Sequence, residues 1–196
     1  MTTLKAEKRD MQTKAKKLRR EGFVTGNVFG REMKESMPIQ IAKNDAERFF
    51  KTCTKGSKVT LEIEGQSIAT LVKEIDYDSL KRQILEIDFQ ALVKGEKVHS
   101  VAEIVLLNHE KVNTGVVEKL LDEVSYRALP ESLVEKIEVD VGDMKLGDSI
   151  KVKDLPIAAD KDIDLLTDPE TVVANVAAVH NAVEETAEEE AGETAQ

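Results

Sequence analysis

The stretch KVTLEIEGQSIATLVKEI, residues 58–75, constrains the fold more than any other part of the chain. Val59, Leu61 and Ile63 alternate with polar residues, the period-2 mark of a strand with one buried face. Glu64-Gly65 makes a turn and the apolar pattern resumes behind it, so the segment predicts a hairpin. QILEIDFQAL, residues 83–92, adds another strand, on which Leu85, Ile87 and Phe89 are expected to face the core while Glu86, Asp88 and Gln90 point the other way. LKAEKR, GNVFG and MPIQIA read as further short strands. Residues 43–54 switch to helical spacing, with Ala46, Phe49, Phe50 and Cys53 on one stripe, Asn44 as the expected N-cap and Glu47 closing a capping box. Several short strands with one or two helices predict a small barrel.

The remainder up to the C-terminal tail is also strand-rich. VHSVAEIVLL, LLDEVSYRAL, KIEVDVGDM, DSIKVKDL and ETVVANVAAV read as strands, NTGVVEKLLDEV is expected to include a helical turn, and Gly142-Asp143 and Gly147-Asp148 mark turns. VKGEKVHS sets a boundary near residues 91–96. The expected fold is therefore mainly β with minor α (α+β). A small β-barrel domain occupies residues 1–91, an antiparallel β-rich domain 92–183, and a disordered acidic tail 184–196. The tail holds six acids in 13 residues and almost nothing apolar, too little to offset the entropy of ordering.

Charge divides the chain in the same place. The net charge is -10 overall, but residues 1–91 carry 18 Lys/Arg against 14 Asp/Glu, and residues 92–196 carry 10 against 24. Two units with different partners are implied. The single cysteine excludes an internal disulfide and fits a reducing cytosol. The first residues, MTTLKAEKRD, hold no apolar signal region, and no apolar run approaches the ~18 residues of a membrane span.

Catalytic chemistry is not expected. His99, His109 and His180 have no neighbour at metal-ligand spacing, and Cys53 lies on an apolar stripe where a small hydrophobe fits. Asp162, Asp164 and Asp168 lack the glycine and glutamate of a calcium loop, and the glycines of GDMKLGDS do not lead from a strand into a helix. No enzyme, cofactor, metal or small-molecule substrate is predicted.

The segment TKAKKLRREG, residues 13–22, packs Lys14, Lys16, Lys17, Arg19 and Arg20 into seven residues. Thr13 and Gly22 bracket a short helix with Ala15 and Leu18 as its apolar foothold. Like charges this dense repel one another, and a phosphate backbone is the array that relieves them. A solvated helix face is the plainer alternative. Anionic lipid lacks the apolar face it needs, and a DNA-binding role is disfavoured because no helix-turn-helix pair is visible.

The order AEKR, KKLRREG, NVFG, GQSIATLVKEIDYDSLKRQILEIDF, IEVDVGDMKLGDSIKV and LLTDPETVV, spread over residues 4–179, resembles the bacterial large-subunit ribosomal protein 25 family, in its long form of the general stress protein Ctc type. The resemblance implies a β-barrel that binds 5S ribosomal RNA, a second β-rich domain, and a cytoplasmic, ribosome-associated protein. It implies RNA contacts at Arg9, at Lys14, Lys16, Lys17 and Arg19 with the adjoining Arg20, at Phe29, at Lys73 on the hairpin and at Asp88. Docking is expected on the minor-groove side, since A-form RNA hides base edges in its deep major groove. Phe29 stands where the family carries tyrosine, Asp78-Ser79 where His-Pro is common, and Glu86 where histidine is usual. These departures keep a second reading open: a divergent, stress-related paralogue acting mainly through protein contacts, with weak RNA binding. The acidic back half is either a spacer or a face toward neighbouring ribosomal proteins, which are commonly basic.

Overall fold

The computed structural model describes residues 2–113 and 115–178. The acidic tail at 184–196 and His180 lie outside the described residues. The first half runs β1 (Thr2–Lys8), α1 (Ala15–Arg20), β2 (Phe23–Phe29), β3 (Met37–Ala42), α2 (Lys43–Thr52), β4 (Lys58–Ile63), β5 (Gln66–Asp78) and β6 (Gln83–Ala91). Its strands close into a barrel in the order β1-β3-β2-β6-β5-β4, with β4 returning to β1. The hairpin predicted from the alternation is β4–β5. Glu64 and Gly65 take φ of 51° and 81°, the positive values that a tight two-residue hairpin turn requires.

Two pairings that close the barrel, β1 with β4 and β2 with β6, are parallel. On β2, Val24, Gly26 and Val28 are buried from the core side. Gly26 lies so close to β6 that a methyl group there would overlap the carbonyl oxygen of Ile87. The barrel core is built from Leu4, Val24, Val28, Ile39, Ile41, Val59, Leu61, Ile63, Val72, Ile87 and Phe89. A fully buried aliphatic or aromatic side chain of this kind contributes about 1.5–3 kcal/mol.

Strand β6 departs from its expected facing at one residue. Asp76 faces Glu86 and Tyr77 faces Ile84, so Leu85 is the extra residue of a bulge. Ile84 takes the core place expected of Leu85, which is left half-buried. Helix α2 buries Ala46, Phe49 and Cys53 as its spacing requires, and Phe49 leans on Phe89 with ring centroids 6.3 Å apart. Phe50, expected on the same stripe, is instead 38% exposed and stacks flat on Tyr77 at 5.2 Å. The expected capping box does not form. Helix α2 grows directly out of β3 with Ala42 at its cap position, leaving no turn in which Asn44 could cap, and Glu47 pairs back to Lys43 at 3.8 Å.

The second half contributes β7 (Val98–Leu107), β8 (Val116–Lys119), β9 (Glu123–Ala128), β10 (Lys136–Asp140), β11 (Ser149–Lys151), β12 (Ile163–Leu165) and β13 (Val172–Ala177). They form a four-stranded sheet, β10-β7-β9-β12, and a three-stranded one, β11-β13-β8. Pairing is antiparallel except between β10 and β7. The helical turn expected in NTGVVEKLLDEV is strand β8; a 3-10 turn precedes it, at His109–Lys111. Only the first part of DSIKVKDL is strand, and two 3-10 turns follow at Val152–Asp154 and Pro156–Ala159. DIDLLTD supplies the short strand β12. Tyr126 is fully buried at the centre of this half, its hydroxyl donating to the Val134 carbonyl and accepting the Val134 amide, both at 2.8 Å.

The two halves meet at the loop before β4. Glu135 accepts the Lys58 amide at 3.1 Å and the Ser57 hydroxyl at 3.4 Å, Lys58 Nζ reaches the Pro130 carbonyl at 3.0 Å, and Lys55 pairs with Glu123 at 3.1 Å. Gly56 is pressed so near the Val101 carbonyl that no Cβ fits.

Candidate nucleic-acid interface

Helix α1 has only six residues, far below the length at which a helix holds itself together in water. Three features hold it on the barrel. Leu18 is buried against the sheet and α1 packs on β2. Gly22, at φ 90°, ends the helix just past Glu21 and turns the chain into β2. Arg19 Nε donates to the Leu85 carbonyl at 3.1 Å, at the bulge of β6, and the Thr25 hydroxyl reaches the same oxygen at 3.3 Å. Lys14, with extended backbone, occupies the cap position expected of Thr13 and makes no side-chain cap. Arg9 prepares the approach: its guanidinium donates to the Thr13 carbonyl at 3.1 Å and shapes the loop that enters the helix.

The outcome is a cationic ridge. Lys14, Lys16, Lys17 and Arg20 stand in solvent, and Lys17 is eased by Glu21 one turn on, at 3.7 Å. Lys17, Arg19 and Arg20 fall in the last turn, where the helix dipole favours positive charge. Arg19 is half-buried, and its contact with Leu85 makes it a fastener of the ridge.

Beside the ridge lies the outer face of β2, β6 and β5. Asp88 faces outward, as the alternation requires, and is engaged by Asn27, whose amide nitrogen and side-chain Nδ2 both lie 3.2 Å from its carboxylate. Asn27 Nδ2 also reaches Glu86 at 3.1 Å. Glu74, Asp76, Glu86 and Asp88 surround one depression, with Glu74 opposite Asp88 and Asp76 opposite Glu86. Like charges in directly facing positions repel, so this patch is unfavourable ground for phosphate.

The remaining expected contacts are dispersed. Phe29 is 36% exposed at the far end of β2, six residues and about 20 Å along the strand from the α1 end. Lys73 does not join the ridge. It is the extra residue of a second bulge, between Val72 and Glu74, and its ammonium donates to the His99 carbonyl of the second half at 3.0 Å. Burial, and secondarily the charge of Lys55, lower its pKa. Asn27 was missed by sequence reasoning. Alternation on β2 places it outward, but only the parallel register with β6 sets it against Asp88.

A closed barrel carrying a cationic ridge, joined to an acidic β-rich half, places the chain among two-unit, mainly β proteins that present a basic surface on one unit. Comparison with known families makes the class specific. Residues 4–89 match the Ribosomal L25p family and residues 97–180 match the domain described as ribosomal protein TL5, C-terminal domain. The protein named large ribosomal subunit protein bL25 from Syntrophomonas wolfei is 30% identical over 98% of this chain and 92% of its own length. Its namesake from Caldanaerobacter subterraneus is 29% identical over 97% and 96%, and that from Exiguobacterium sibiricum 33% over 89% and 78%. The chain belongs to the bL25 family of large-ribosomal-subunit proteins, in its long, two-unit form. It is a structural ribosomal protein and not an enzyme, and a cytoplasmic, ribosome-associated setting follows from the family. No helix among the described residues is long and apolar enough to cross a membrane.

Proposed function

We propose that this protein binds 5S ribosomal RNA within the large subunit, with the α1 ridge on the phosphate backbone and the outer sheet face beside it. The observation that carries the reading is the pinned helix: Arg19 is anchored on Leu85 while Lys14, Lys16, Lys17 and Arg20 stay exposed on the surface, where they can meet phosphate. Phosphate contacts fix the position of the protein, and polar side chains and shape select the site. Asp88, oriented by Asn27, accepts from base amino groups, and Phe29 packs on sugar or base. The acidic second half turns toward basic ribosomal proteins.

The test is the dependence of log affinity on log salt for 5S RNA. Lys14→Gln, Lys16→Gln and Lys17→Gln together leave the Arg19 anchor intact. They lower the magnitude of the slope by roughly 2 to 2.7, three contacts at about 0.7–0.9 each. A slope that does not move means that the ridge faces water.

The patch of Glu74, Asp76, Glu86 and Asp88 favours the second reading, a protein-contact factor with weak RNA affinity. On that reading, Asp76→Asn with Glu86→Gln raises RNA affinity more than Lys14, Lys16 and Lys17 replacement lowers it.

A further inference from the structure

The junction of the two halves encloses a cleft of about 210 Å³. This is smaller than the roughly 300–1,000 Å³ of pockets that take drug-sized ligands, and it suits a small hydrated ion. Lys55 and Lys73 enter it from the barrel, and His99 and Ser125 from the second half, over a floor that includes Gly56 and Val101. Four other depressions on the surface each include at least one carboxylate: Asp45 in one, Glu138 and Asp160 in another, Glu131 and Glu135 in a third, and the four acids of the sheet face in the last. This cleft has none on its wall, in a protein whose net charge is -10.

The donors are only partly used. Lys73 Nζ gives one hydrogen bond, to the His99 carbonyl at 3.0 Å, and an ammonium has three to give. Lys55 gives one, to Glu123 at 3.1 Å. Ser125 engages its amide with the Thr167 hydroxyl at 2.9 Å and its carbonyl with Leu166 at 3.0 Å. Its own hydroxyl takes no protein partner among the described residues.

We propose that this cleft is an oxyanion site for a phosphate group, bridged between Lys73 and Lys55 of the barrel and the Ser125 hydroxyl of the second half, with His99 lining its edge. Lys55 is already paired with Glu123, whereas Lys73 meets no carboxylate among the described residues; an anion there compensates the Lys73 ammonium and ties the halves together. The lowered pKa of Lys73 has the same origin, since burial and the Lys55 charge both disfavour its ammonium. The phosphate comes either from a free phosphate ion or from a nucleic-acid backbone. The site stands on its own donors, whether or not α1 holds 5S RNA.

The test uses the full chain. Inorganic phosphate is titrated against chloride at matched ionic strength, with amide chemical shifts as the readout. Saturable shifts are expected at Lys55, Lys73, His99 and Ser125, weakened at least about tenfold in Lys73→Gln, as loss of a charged donor requires, and restored in Lys73→Arg. Ser125→Ala, which leaves the charges in place, weakens binding as a second check, and an otherwise unchanged amide spectrum shows that each variant is folded. The salt slope for 5S RNA is then compared between wild type and Lys73→Gln. A slope reduced by about 0.7–0.9 assigns the site to a backbone phosphate, and an unchanged slope with saturable phosphate binding assigns it to a free ion. Linear shifts that are the same in Lys73→Gln, with an unchanged RNA slope, overturn the proposal.

Discussion

At the scale of single residues, the side chains that matter most are those whose polar atoms settle a backbone that would otherwise be orphaned. Tyr126 is the sharpest case. Its ring is fully buried, and its hydroxyl both donates to and accepts from Val134. Burial leads in raising its pKa, so the phenol stays protonated and keeps its donor. Tyr126→Phe leaves the Val134 amide and carbonyl without a partner and is expected to destabilise the protein by about 1–3 kcal/mol. The midpoint of urea unfolding falls, with an unchanged dependence on denaturant. Arg19 is a fastener of the same kind: its position within a cationic run shows the charge, but not the Leu85 carbonyl that fixes it.

At the scale of elements, helices and strands here are short and lean on side-chain ties at their ends. Helix α1 needs Leu18, Gly22 and Arg19 to exist at all. In the second half, Glu170, just before β13, holds β11 and the turn after it through Lys151 and Lys153, both at 2.7 Å. The hydrogen bonds from Lys151 and Lys153 pull the pKa of Glu170 from the usual 4.5 to about 2. A carboxylate whose folded pKa is depressed stabilises the fold above its unfolded value and loses that contribution as pH falls through the folded one. The contribution of Glu170 is therefore complete above about 4.5 and lost as pH falls toward 2. Following the Glu170 carboxyl carbon by NMR should give a midpoint near 2, and Lys153→Met should move it upward. The group is exposed, so salt weakens the effect.

At the scale of the whole molecule, the junction decides whether the protein behaves as one body. Glu135 accepts from Lys58 and Ser57 across it. Glu135→Ala removes a charged acceptor at an exposed position, and hydrogen exchange at the Lys58 amide is expected to quicken about tenfold. The amides of the barrel core, around Ile87 and Phe89, keep their protection. Equal protection of Lys58 in both proteins would mean that Glu135 does not hold the junction, leaving it to the Lys55–Glu123, Lys58–Pro130 and Lys73–His99 contacts and to the packing of Gly56 on Val101.

Much of this molecule is legible in its sequence. Alternation at Val59, Leu61 and Ile63, the turn at Glu64-Gly65, the helical stripe of Ala46, Phe49 and Cys53, and the clustered cations after Thr13 are local patterns, and local periodicity is what a sequence states directly. The order of motifs along the chain also carried the family. Contacts between segments far apart in sequence were not legible. The bulge that turns Leu85 out and Ile84 in, the parallel closure that brings Asn27 to Asp88, and the meeting of Lys73 with His99 depend on register between strands. Register is set by closing the barrel and burying both cores at once, because a one-residue slip moves every side chain of a strand to the opposite face. The sequence thus determined which segments are strands and where the positive charge lies. The tertiary structure alone decided which side chains meet, since that choice is made by the packing of the whole.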